Sequence, residues 1–98
     1  MTRERARAYA RVMMTLQDDG PSKLLPSERA RTRLAADALL FCADILADRS
    51  ARAAFSDFEA MRSHLVDCGR WTDERAGALA DNVWACGPAI AAARGVAA

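Results

Sequence analysis

Apolar positions recur along this chain at the three- and four-residue spacing of amphipathic helices. Beginning after Thr2, the residues Ala6, Tyr9, Val12, Met13 and Leu16 fall on one face and predict a helix over residues 3–18 that Gly20-Pro21 ends. Leu24 and Leu25 follow in the connection and are expected to pin it to the core.

A second, longest helix is predicted over 27–47, with Ser27 as its cap and Glu28 set favourably against its N-terminal dipole. On a helical wheel Arg33, Asp37, Asp44 and Asp48 gather in one narrow arc. Leu34, Ala35, Ala38, Leu39, Leu40, Phe41, Cys42, Ile45 and Leu46 spread over most of the rest. A helix this broadly apolar is expected to be central, or to lend a second face to another chain.

Ser50 is placed to cap a third helix over 51–68, with Ala51, Ala54, Phe55, Phe58, Met61 and Leu65 on one side and Gly69 suited to close it in the left-handed conformation. Thr72, followed by Asp73 and Glu74, opens a fourth helix over 73–86 whose inward face is Ala76, Leu79, Ala80 and Val83. Gly87-Pro88 stops it, and Pro88 is suited to begin a further short helix over 88–94. Short loops between the last three long helices call for antiparallel neighbours. The expected fold is all-α, a compact four-helix bundle forming one domain over 1–98.

Composition sharpens this picture. Ala accounts for 23 of the 98 residues, whereas Val, Ile and Thr together number ten, so helix is favoured over sheet. The chain is too short for a barrel or a full nucleotide-binding α/β fold. Its formal net charge of +1 conceals an asymmetry, because residues 1–33 carry net +4 and residues 34–98 net −3. The longest uncharged stretch, Asn82 to Ala93, is interrupted by Gly87-Pro88 and too short to span a bilayer, and no secretory pattern opens the chain. Three Cys without paired spacing point to a reducing compartment, and the cytoplasm is the expected location.

Candidate chemistry is sparse. Cys42, His64, Cys68 and Cys86 are a set that could bind zinc tetrahedrally if three helices brought them together, but no Cys-x-x-Cys knuckle is present, and their places on or beside apolar arcs are those of ordinary buried thiols. Cys68 with His64 as base would sit at a helix C-terminus, where the dipole opposes thiolate formation. Asp37, Asp44 and Asp48 share a predicted helical face that reads as solvated or as a receptor for a basic partner. Arg3, Arg7 and Arg11 form a stripe along the first helix, joined by Arg29, Arg31 and Arg33 at the start of the second, as phosphate-tracking stripes do. Trp84 lies off the main apolar face of its helix and is a candidate binding anchor or a cover for the bundle's end.

No motif of phosphate binding, nucleophilic hydrolysis or zinc proteolysis occurs. The sequence therefore predicts a small non-catalytic interaction protein, an adaptor, inhibitor or regulatory subunit that docks on a larger protein or on itself and needs no cofactor or metal. The composition suits a bacterial or phage accessory protein. The expected contact residues are Trp84, Asp37, Asp44, Asp48, Arg3, Arg7 and Arg11. Two alternatives are a nucleic-acid-binding module built on the Arg stripe and a zinc-stabilised bundle.

Overall fold

The computed structural model describes residues 2–20 and 23–88. Four helices follow one another, α1 (Arg3–Leu16), α2 (Pro26–Leu40), α3 (Arg49–Asp67) and α4 (Asp73–Ala85), with no strand among the described residues. They form the expected all-α four-helix bundle. The Cα radius of gyration, 12.6 Å, is that of a compactly folded chain of this length. The predicted short helix over 88–94 lies, past Pro88, outside the described residues.

Three of the four helices start where a side chain supplies an acceptor for a free first-turn N–H. Thr72 accepts from the Arg75 N–H, as expected, and Thr2 likewise accepts from the Arg5 N–H. The other two starts differ from the sequence reading. Pro26 occupies the first turn of α2 with Leu25 at the cap, and Glu28 reaches back to accept from the Leu25 N–H at 2.8 Å, so Ser27 is already inside the helix. For α3 the cap is Asp48, which accepts from the Ala51 N–H at 3.0 Å, and Ser50 lies in the first turn. Gly69 has φ 78°, with its N–H donating to the Val66 carbonyl and the Arg70 N–H to the Leu65 carbonyl, the paired bonds of a Schellman closure.

The largest departure is the C-terminus of α2. It ends at Leu40, seven residues before the predicted limit, and residues 41–48 form turns that stay packed on the core through Cys42 and Ile45. Two guanidinium groups replace the hydrogen bonds that a continuing helix would have made. Arg5 donates to the carbonyls of Leu39, Leu40 and Cys42, and Arg52 donates to those of Ile45 and Leu46. Asp44 accepts from the Leu46 N–H in a local turn, competing with helix formation. α1 also stops earlier than predicted, at Leu16, with two 3₁₀-type bonds tightening its end.

The bonds between helices fix their directions. Arg5 reaches the ends of α2 and α4, Tyr9 reaches Asp37, Arg11 reaches Asn82, and Asp18 reaches Arg75, so α1 runs antiparallel to both α2 and α4. α2 packs most extensively on α3 and also touches α1 and α4. The core is built on Phe55, whose ring lies 4.9 Å from that of Trp84 and 6.0 Å from that of Phe58, with Val12, Leu39, Leu65 and Val83 fully enclosed around them. On α1 the enclosed residues are Ala8 and Val12, whereas Ala6, expected on the inner face, is exposed. Gly87 is buried where α4 meets α2; a Cβ there would stand 3.1 Å from a Leu39 methyl, so the close approach depends on a residue without a side chain. Among the described residues no helix is long and apolar enough to cross a membrane.

Candidate functional site

The site begins with an arginine that the stripe passed over. Arg5 projects between the ends of α2 and α4. Its Nε donates to the Cys86 carbonyl at 2.8 Å, and its Nη2 to those of Leu39, Leu40 and Cys42 at 2.8, 3.0 and 2.8 Å. These are C-terminal carbonyls, where a helix's partial negative charge accumulates, so one cation neutralises two helix ends. A sequence signal existed, since Arg5 lies three and seven residues before Ala8 and Val12, on the face that α1 buries.

Beside it, the Tyr9 hydroxyl donates to Asp37 Oδ1 at 2.5 Å. That bond, with help from burial, raises the Tyr9 pKa above its ordinary value. Asp37 also stands 3.8 Å from Arg33, one turn earlier on α2. Asp37 is therefore partnered inside the bundle. Asp44 serves its turn and Asp48 caps α3, so the acidic row expected from the wheel does not exist once α2 ends at Leu40.

The outer face of α2 is apolar. Its buried side is Thr32, Ala35, Ala36 and Leu39, and the opposite side presents Ala30, Leu34 and Phe41, with Leu34 60 % and Phe41 81 % exposed. Between this face and α1 lies a groove of about 370 Å³ whose walls are Met13, Leu16 and Ala30, with Gln17, Arg29 and Arg33 at its rim. The Arg29 Nε is buried there without a hydrogen-bond partner, while its Nη2 donates to the Asp18 carbonyl and approaches Asp19. On the α3 side, Arg31 stands 3.8 Å from Asp57.

A second cleft, about 320 Å³ in volume, separates α1 from α4 and is lined by Met14, Asp18, Trp71, Arg75 and Asn82 among others. Its cation is already satisfied. Arg75 lies 3.9 Å above the buried Trp71 ring and donates to Asp18 at 3.0 Å. The Gly20 N–H and Arg75 both hold the Asp18 carboxyl below its ordinary pKa against the opposing effect of burial.

The other residues marked in the sequence are dispersed. Arg3, Arg7 and Arg11 lie exposed on α1 as predicted, but Arg11 donates to Asn82 at 2.8 Å. Trp84 is 8 % exposed and packed on Phe55, so it is a core residue and offers no anchor to a partner. Its helix turns the flank that carries Trp84 toward α3, which the single-helix wheel could not show.

Cys42 and Cys86 are buried, Cys68 and His64 are exposed, and among the described residues no three His, Cys, Asp or Glu side chains gather as a metal site, so the Cys3His set is not assembled. Burial pushes the Cys86 thiol up to about 11, and burial together with a hydrogen bond to Asp48 raises that of Cys42.

Comparison of the chain with protein-family models, with curated proteins and with solved structures gives no match.

Proposed function

We propose that this is a small non-catalytic interaction protein, an adaptor, inhibitor or regulatory subunit working in the cytoplasm, and that it acts by laying the outer face of α2 on a protein surface. The observation that carries this reading is the exposure of Leu34 and Phe41 on the side of α2 facing away from the core. Large apolar side chains on one ridge, rimmed by Arg31, Arg33 and Asp37, have the make-up of a contact surface with an apolar centre and a polar rim. A surface of this kind works by occupancy and needs no reactive group.

The nucleic-acid reading draws less support from the same geometry. Arg5 is spent on helix ends and Arg11 on Asn82, leaving Arg3 and Arg7 of that stretch without a hydrogen bond or ion pair among the described residues. Affinity for a phosphate backbone grows with the number of phosphates that such cations neutralise.

Affinity capture from host lysate, divided into nuclease-treated and untreated halves, tests the proposal. Protein partners retained in both halves and lost with the double variant Leu34→Glu, Phe41→Glu would support it. Capture that disappears with nuclease and ignores the double variant would overturn it.

A further inference from the structure

The outer face of α2 carries both a projection and a hollow. Phe41 projects, and the groove beside Ala30 is open and apolar. Within one chain they cannot meet, because the helix from Ala30 to its end at Leu40 spans about 15 Å and Phe41 lies one residue beyond it. We propose that they meet between chains: α2 is the contact face of a two-fold dimer, in which Phe41 of each copy seats in the groove between α1 and α2 of the other. This names the partner for the interaction reading above and rests on it.

The register is set by the sequence of α2. If two copies of the helix lie antiparallel and the symmetry axis passes at the level of Ala35, Phe41, six residues after that level, faces Arg29, six residues before it, on the second copy. Ala30 adjoins Arg29, and its small side chain leaves the hollow that a phenyl ring fills. The same register brings Asp37, which already stands 3.8 Å from Arg33 of its own chain, level with Arg33 of the second copy, so that the two intrachain pairs face each other with opposite charges aligned. One arrangement thus seats the ring and pairs opposite charges, and the symmetry repeats both contacts.

Arg29 and Arg33 at the rim add cations positioned around an aromatic ring. Leu34 lies near the axis, where it packs on its symmetry mate. A partner of another kind would have to reproduce the ring, its spacing and the charges, whereas a second copy of this chain already carries all three.

The face is one helix of 15 residues, about 22 Å long, so the contact falls at the small end of specific interfaces and the dimer is reversible.

Sedimentation velocity between about 1 μM and 1 mM reads the association directly. The wild-type chain should shift from monomer to dimer across this range. Phe41→Ser removes the projection from an exposed position and should raise the dimer Kd by about 30-fold or more. Ala30→Trp fills the hollow and should do the same. An equimolar mixture of the two variants should form a heterodimer, because Phe41 of the Ala30→Trp chain still finds an open groove on the Phe41→Ser chain. That heterodimer should be about tenfold tighter than either variant's self-association.

Unchanged circular dichroism of each variant separates loss of contact from loss of fold. A wild-type chain that remains monomeric at 1 mM overturns the dimer, as does a Phe41→Ser chain that dimerises normally or a mixture that stays monomeric. If the chain is monomeric yet still captures another protein through Phe41, this inference fails while the interaction reading stands.

Discussion

The Arg5 side chain donates from Nε to the carbonyl oxygen of Cys86 at 2.8 Å, joining residues 81 positions apart in sequence. The same guanidinium bonds the last carbonyls of α2, so its removal would expose two helix ends at once. Arg5→Ala is expected to destabilise the fold by about 2–4 kcal/mol, because several partly buried acceptors lose a charged donor together. Arg5→Lys should recover only part of this, since an ammonium cannot reproduce the planar fork. Urea denaturation followed by circular dichroism measures both.

Glu28 makes stability sensitive to acid. The residue is buried at the start of α2, where it accepts from Arg70 at 2.7 Å and from the Leu25 N–H at 2.8 Å. Burial pushes its pKa up, but the bonds to Arg70 and Leu25 outweigh burial and hold it below the ordinary 4.5. The carboxylate therefore contributes stability that is fully present above pH 4.5 and is lost as pH falls through the lower folded-state value. Thermal melts from pH 7 to pH 3 should show a declining midpoint, and Glu28→Ala should flatten the decline while costing about 1–3 kcal/mol at neutral pH.

The three thiols should differ in reactivity. With an aromatic disulfide reagent at pH 8, the exposed Cys68 should react in the native state. Cys42 and Cys86 should wait for unfolding, since burial both shields them and raises their pKa. One thiol per chain should titrate in buffer and three in urea. A second fast thiol in buffer would show that the ends of α2 and α4 open readily.

Two glycines should respond to alanine in opposite directions. Gly69 has φ 78° with nothing within 4 Å of an added Cβ, so Gly69→Ala meets no clash and is expected to cost about 1–2 kcal/mol for the left-handed conformation alone. Gly77 lies within α4, also with nothing within 4 Å, so Gly77→Ala is expected to stabilise by about 0.5–1 kcal/mol. Melting temperatures of the two variants check both signs.

The helices were readable because local chemistry announces them: Thr2 and Thr72 cap as their side chains dictate, and Gly69 closes α3 as its missing Cβ permits. The end of α2 was not readable, because residues 41–47 keep a helix-like apolar pattern and the groups that stop the helix, Arg5 and Arg52, come from other elements. The candidate surface was half legible. An apolar excess on the second helix pointed to a second contact face, and Leu34, Phe41 and Leu46 are the large residues of that excess left outside. Trp84 and the aspartate row misled for one reason: a wheel drawn for an isolated helix cannot say which flank its neighbours cover or how far the helix extends. Arg5 escaped notice because composition treats every arginine as surface charge, and its role depends on two carbonyl clusters that only the assembled bundle brings together.

The clamp at Arg5 also orders events during synthesis. The guanidinium precedes its acceptor on Cys86 by 81 positions, so α1 is made well before its final anchor. Docking of α1 then closes a loop of 81 positions, and until it happens the ends of α2 and α4 stand open to water.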